Sequence, residues 1–536
     1  MTTRVVVIGL DGAARHILDP LLADGHMPRL AALLERACRG TLVSTVPTYT
    51  PPAWSSAATG VNPGRHGIYG FYGSNAQSER QELMHSGKLK TAAFWEMANA
   101  QGARTGVHHL PLTYPPQDVD GWMISGMLTP GFGEQPRGFA RPTELEPKIR
   151  AWAPGYAIDV SANWEADYKD AGLCDRVCAA LAQRATVLER LLELEPCDIV
   201  FSVLESPDRL MHVYYRYMDP ADEMYSSAEA ERLRPAVSRC FEALDAIAGI
   251  LIDYAGAEGG VIVCSDHGFT SWEVSVHTNA LLERWGYLKL KRSARLMQSA
   301  PARKAVPLAK RVLPARIARE AKGRTFAAID WGHTRAFASP IPQQGIFFNV
   351  AGRERFGIVP RARMGALKDD LQARFESLRG PDGAPVTDRV YRSEEVFEGG
   401  HLEGAPDLMP VLRDHRFELD DEIFHRDPFT DLRHLPRGVH HPDGIGVLAG
   451  PGVRAGAELR GSILDVTPTL LYMAGLAVPD DLDGRVLTDA FTEEQLKDRP
   501  IRTTAPLSSG LREEASPYTE EEEAAIEESL RGLGYL

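Results

Sequence analysis

The 536 residues are 44% hydrophobic and 25% charged, the balance of a globular chain able to bury a large core and to hold more than one domain. A net charge of −14 argues against a general nucleic-acid binder, because phosphate backbones need a basic face, but does not exclude a small phosphoester held by cations. No apolar run is long enough to span a bilayer, and MTTRVVVIGLDG lacks the basic start and long apolar middle of a secretory leader. Cys38, Cys174, Cys178, Cys197, Cys240 and Cys264 follow no disulfide framework, so reduced thiols in a cytoplasmic protein are expected.

In chain order, strand-like runs alternate with helical patterns, which predicts an α/β fold with a mainly parallel sheet. Arg4–Ile8 reads as the first strand, ending near Asp11-Gly12; this is ordinary turn chemistry that also puts a carboxylate at a strand end. Met27–Arg36 reads as a helix. In STVPTYTPPAWSSAATG, Pro51 and Pro52 read as a stiff lead-in to a helix opened by Ser55 and Ser56, where free N–H groups favour anions. Thr50 would present its hydroxyl there. A threonine becomes a nucleophile only when a base or a metal takes its proton; otherwise it merely caps the turn. Val107–Leu110 and Trp122–Ile124 are weaker strands. His108, His109, Tyr114, Met127 and Trp164 are candidates for lining a pocket, with packing the simpler role for each.

Leu173–Leu194 is a long amphipathic helix on which Cys174 and Cys178 are expected to pack. Asp198–Val203 is a strong strand. ESPDRLMH follows it, with Asp208 and His212 spaced to share one helix face. Leu233–Tyr254 is a helix leading into Val261–Cys264, a strand apolar enough to be buried on both faces. Directly after it come Asp266 and His267. A carboxylate beside an imidazole at the mouth of a buried strand is costly unless paired. A divalent metal is the usual partner, and such sites collect at the C-terminal edge of parallel sheets.

Lys291–Arg324 opposes its many Lys and Arg residues with a single acid, Glu320. It reads as a basic helical insertion or lid, either a solvated face or a contact for an anionic tail or lipid headgroup, so peripheral membrane contact stays open. Ile346–Val350, Leu408–Leu412 and Ile445–Ala449 are further strands, with His440 and His441 just before the last, and Ser462–Gly475 is a late helix. From Thr503 a linker leads to a short helix expected to dock through Leu530, Leu533, Tyr535 and Leu536. The expected organisation is a discontinuous catalytic domain over 1–290 and 325–495, the insertion 291–324, and the tail 496–536.

These residues assemble into two expected metal sites. Asp11, Asp266, His267 and the Thr50 oxygen would form one; Asp208, His212 and His440, or His441 in its place, would form the other. Mixed imidazole and carboxylate ligands suit zinc best, with manganese or iron possible. Two metals roughly 4 Å apart can clamp the entering and leaving oxygens of a phosphoryl displacement.

VVVIGLDG, the long stretch from MPRLAALLERACRG to NPGRHGIYGF, SPDRLMH, VIVCSDHGF, IDWGHTRAFA, GVHHPDGI, SILDVTPTLLYMAGL and the ending EEEEAAIEESLRGLGYL together resemble the type I phosphodiesterase/nucleotide pyrophosphatase family of the alkaline phosphatase superfamily. They are most similar to its bacterial phosphohydrolase or phosphomutase-like group. The resemblance covers nearly the whole chain and implies an alkaline-phosphatase-like α/β/α sandwich. It implies Thr50 as nucleophile and Asp11, Thr50, Asp208, His212, Asp266, His267 and His440 as ligands of two divalent cations. The implied activity is phosphoester hydrolysis through a phospho-threonine on a small substrate. The rivals are a phosphomonoesterase, a phosphomutase, or a non-catalytic binding protein on the same fold. No Cys-x-Pro-x-Arg run supports a sulfatase. One departure stands out: after His66-Gly67-Ile68, Phe71 occupies the place of the family's phosphoryl-binding asparagine, which puts nucleotide specificity in doubt. Backbone N–H groups near Thr50, Tyr69, Tyr72 and Asn75 are possible substitutes.

Overall fold

The computed structural model describes residues 3–73, 82–131, 136–292, 294, 328–338, 345–423, 425, 427–509 and 515–532. Its centre is a nine-stranded sheet in the spatial order Glu458–Ser462, Cys38–Val43, Asp443–Ala449, Gly260–Cys264, Val5–Leu10, Ile199–Leu204, Thr105–His108, Gly121–Ile124, Ala140–Arg141. The strands from Gly260–Cys264 to Gly121–Ile124 are mutually parallel. Only Asp443–Ala449 and Ala140–Arg141 run against the rest.

Val5–Leu10 is buried along its whole length. Because side chains alternate across a strand, it feeds two cores. Val6, Ile8 and Leu10 pack with the helices Arg15–Ala23, Gly172–Leu194 and Ala228–Ala255. Val5 and Val7 pack with Thr50–Thr59, Phe94–Asn99 and Val466–Ala474 on the opposite face. The result is a three-layer α/β/α sandwich. The predicted strands and helices of these layers recur, with boundaries shifted by a few residues. Cys38–Val43, Ala140–Arg141 and Glu458–Ser462 were not expected: they are short edge or near-edge strands that carry Arg or Gly and lack an apolar run.

Two expected strands belong elsewhere. Ile346–Phe348 and Leu408–Leu412 join Ala336–Ala338 and Thr387–Arg392 in a separate antiparallel sheet. With the helix Met364–Glu376 this sheet builds its own apolar core around Leu367, Leu371, Phe375, Phe348 and Leu408. Apolar runs alone do not tell which sheet will bury them. Of Lys291–Arg324, only 291, 292 and 294 lie within the described residues. At the C-terminal end the helix Glu520–Gly532 buries Ile526 and Leu530, and Tyr518 before it stacks on Tyr114 at 5.5 Å. Leu533, Tyr535 and Leu536 lie outside the described residues. All six cysteines are free thiols. Among the described residues no helix is long and apolar enough to cross a membrane.

The second core hangs from the central sheet by a two-stranded antiparallel ribbon, Gly268–Ser271 against Gly438–His441. One arm follows directly from His267 and the other contains His440, so the ribbon register brings two distant histidines together. Gly438 permits this approach: a Cβ there would lie 2.7 Å from Tyr215 Cβ and 2.8 Å from Phe269 Cδ1. Gly438→Ala should therefore cost about 1–3 kcal/mol through overpacking. A lowered midpoint in urea denaturation would register this, whereas an unchanged midpoint would show that the ribbon yields freely.

Candidate metal centre

The candidate residues lie at one edge of the central sheet, where its parallel strands end. Asp11 follows Val5–Leu10, Asp266 and His267 follow Gly260–Cys264, and Asp208 and His212 lie on the helix Ser206–Met218, which opens just after Ile199–Leu204. Thr50 and His440 reach the same edge from the two strands beyond. All seven residues are 5% exposed or less.

Thr50 opens the helix Thr50–Thr59, which corrects the expectation that Pro51 and Pro52 merely lead into a helix begun at Ser55. The two prolines occupy the helix's first turn and carry no N–H, so Thr50's own amide is the donor that this turn retains. The helix still begins at Thr50, so its positive end lies beside that residue. Thr50 Oγ1 lies 3.3 Å from His267 Nε2.

Around His267 Nε2 stand Asp266 Oδ2 at 3.3 Å, Asp11 Oδ1 at 3.8 Å and Asp208 Oδ1 at 4.0 Å. His267 Nδ1 donates to the Gly268 carbonyl at 3.1 Å, which leaves the Nε2 lone pair facing the carboxylates. The other oxygens are held from outside. Trp54 Nε1 donates to Asp11 Oδ2 at 2.9 Å, and the Gly12 amide donates to Asp266 Oδ1 at 3.1 Å.

A second group adjoins the first. Asp208 Oδ1 is 3.3 Å from both His212 Nε2 and His440 Nε2, and the two nitrogens are 3.0 Å apart. His440 Nδ1 donates to the Thr48 carbonyl at 3.3 Å, again turning an Nε2 lone pair inward. The rings of His267 and His440 stack at 3.6 Å, so the two groups are continuous. His441 turns away: its Nε2 lies 3.4 Å from Asp414 on a half-exposed surface, because neighbouring residues of a strand face opposite ways.

The donor set fits divalent cations. Asp11 Oδ1 and Asp266 Oδ2 are buried with no hydrogen-bond partner among the described residues, a costly state for a carboxylate without a cation. Burial, with the charges of Asp266 and Asp208, pushes the Asp11 carboxyl well above the usual range. Burial likewise raises Asp266, with Asp208 adding to it against the pull of the Gly12 amide. His267 and His212 are held below the ordinary imidazole value, mainly by burial, and so keep neutral, ligating rings. Burial would raise Asp208 too, but His212, His440 and Arg209 outweigh it and hold that carboxyl well below its usual value. Among the described residues, two groups of buried residues are spaced to hold a metal ion: Asp208 with His212 and His440, and Asp11 with Asp208 and His267.

Other expected positions resolve differently. His108 and His109 do not line an open pocket. Both are buried and bonded to Tyr156, and His108 also to Ser202. Trp164 stacks on the Arg437 guanidinium at 3.6 Å, and Met127 is buried. Phe71 is fully buried, edge-on to Tyr49 at 5.4 Å, so no side-chain donor stands at that position. Tyr69 donates to the His401 carbonyl instead, Tyr72 is largely buried, and Asn75 lies outside the described residues. Sequence reasoning passed over Tyr49, Trp54, Arg209 and Asp159. Tyr49 precedes Thr50, and its ring lies 5.7 Å from that of His440; burial, with Glu418 and Asp208 nearby, keeps its phenol protonated. Arg209 was visible inside SPDRLMH, whereas nothing near Asp159 marked it.

No curated protein sequence matches the chain. Among solved structures it is similar to phosphonoacetate hydrolase from Sinorhizobium meliloti 1021 in complex with phosphonoacetate: TM-score 0.54 and 16% identity, covering 88% of this chain and 96% of that one. It is also similar to a mutant of alkaline phosphatase PafA, with TM-score 0.51 and 13% identity, covering 92% of this chain and 99% of that one. At such identities the likeness establishes the fold alone, the α/β/α sandwich described above. The model of the type I phosphodiesterase/nucleotide pyrophosphatase family matches residues 5–418, and the chain belongs to that family.

Proposed function

We propose that this chain is a metal-dependent phosphoester hydrolase that works through a phospho-threonine on Thr50. The observation that carries the reading is the Thr50 hydroxyl, fully buried at a helix start and 3.3 Å from His267 Nε2, inside a cluster of carboxylates and imidazoles. Asp11, Asp266 and His267, with the Thr50 oxygen, would hold one divalent cation, and Asp208, His212 and His440 the other; zinc suits these ligands best. Cations there would supply the positive charge that acidifies the Thr50 hydroxyl and offsets charge on the entering and leaving oxygens. The Thr50 oxygen attacks phosphorus as the bond to the leaving oxygen breaks, the hydroxyl proton ends on the departing oxygen, and phospho-threonine forms. Water then attacks phosphorus from the vacated side, freeing the product and restoring the hydroxyl. The sheet edge aligns these groups, and burial excludes bulk water from them.

With Phe71 in place of an amide donor, the chain's own chemistry supports a phosphoester reading without a commitment to nucleotides. The test compares 4-nitrophenyl phosphate, its bis-ester, and a panel of dinucleotides and nucleotide sugars on zinc-loaded protein. The expected result is turnover of a diester or pyrophosphate in preference to the monoester. Preference for the monoester would recast the chain as a phosphomonoesterase, transfer within one substrate as a phosphomutase, and no turnover on any member as a binding protein.

A further inference from the structure

Arg209 sits on the helix Ser206–Met218 directly after the candidate ligand Asp208. Its guanidinium forks onto Asp159, with Nε donating to Oδ1 at 3.1 Å and Nη2 to Oδ2 at 2.6 Å. Its remaining nitrogen, Nη1, donates to Asp208 Oδ2. The three side chains are 1% exposed or less. Asp159 Oδ1 also accepts the Val160 amide at 2.7 Å, which anchors that carboxylate to its own backbone.

A guanidinium is planar and rigid, so a two-point fork on Asp159 fixes the direction of its third contact. That contact takes Asp208 Oδ2. Asp208 Oδ1 is then the oxygen left to face His212 and His440 at 3.3 Å and His267 at 4.0 Å. Asp208 is also the one residue common to both candidate metal groups among the described residues. The pose of this carboxylate therefore bears directly on the ion assigned to Asp208, His212 and His440, and borders the other group at His267. From these contacts we infer that Arg209, clamped by Asp159, is a positioning residue: it makes Asp208 a single-oxygen ligand in a fixed pose. The inference rests on the metal-dependent reading above. Arg209 itself touches Asp208 on the side away from the histidines and performs no bond-making step.

The test measures zinc per chain and zinc Kd, by competition with a chromophoric chelator, in wild type, R209M, R209K, D159N and a ligand control, H212A. Thermal melting of the zinc-free proteins is followed in parallel. Wild type should hold two ions. R209M should hold its weaker ion with a Kd raised about 10- to 100-fold, the usual effect of removing a residue that orients a ligand. R209K and D159N should fall between, since lysine cannot fork and asparagine weakens the clamp without changing its size. If R209M does not fold, R209K and D159N carry the same comparison. Two ions held with unchanged Kd in the folded variants would overturn the assignment and leave the hydrolase reading standing. Loss of both ions only in step with unfolding would make the clamp a fold staple and overturn it as well. Wild type that takes up no zinc would sink the metal-dependent reading and this inference with it.

Discussion

Thr50→Ala should lower kcat by about 10³-fold or more while leaving the fold and the zinc content close to wild type. The expectation follows from where the side chain sits. Thr50 makes no capping hydrogen bond to its helix, since the N-cap position is Tyr49, so its loss removes no helix-start interaction. It is fully buried, and the change deletes only a hydroxyl and a methyl group, a destabilisation of about 1 kcal/mol. A large kinetic effect with a small thermal effect would therefore isolate the chemistry. Thr50→Ser keeps an oxygen and should recover part of the rate. Acid-quenched reactions with a ³²P-labelled substrate should trap radioactivity on wild type and on the serine variant, and none on the alanine variant. Turnover by Thr50→Ala at the wild-type rate would remove Thr50 from the mechanism. Label trapped on the alanine variant would place the nucleophile elsewhere.

How much of this could be read from the residues depended on whether a feature is local. Asp11, Asp266 and His267 follow strands whose apolar runs already mark them as buried, so burial and position came from the same few residues. Asp208 and His212 needed only helical spacing. The choice between His440 and His441 needed the register of a ribbon with its other arm far away in sequence, where Phe269 pairs with His440. The second antiparallel core was invisible for a similar reason. Its strands are as short and apolar as those of the main sheet, and only long-range pairing assigns them. The start of the Thr50 helix was misplaced because two consecutive prolines read as a linker, although the first helical turn is where proline's missing N–H does least harm. Asp159 was missed because its role exists only through Arg209, and nothing in the sequence near it signals that contact.

Stripping divalent cations should lower both the rate and the melting temperature, and the second effect needs no knowledge of the substrate. Asp11, Asp208 and Asp266 converge with one guanidinium, Arg209, in direct contact, so among the described residues the cluster has more buried carboxylates than buried cations. Asp11 and Asp266 meet that imbalance by having their carboxyls driven upward by burial, and each keeps an oxygen with no donor among the described residues. A cation bound to the folded chain alone stabilises it by about 2.7 kcal/mol per site at one hundred times its Kd. Calorimetry of chelator-treated protein should therefore show a lower midpoint that rises again as zinc is added, with manganese and ferrous iron as comparisons. The rate on any substrate the enzyme accepts should fall about 10²-fold or more on chelation and return with the same cation. A midpoint indifferent to chelator and to added zinc would mean that the carboxylates tolerate one another as protonated pairs. The converging lone pairs of His212, His267 and His440 would then need another explanation. A midpoint that responds while no substrate turns over would leave the site intact and put the error in the choice of ester.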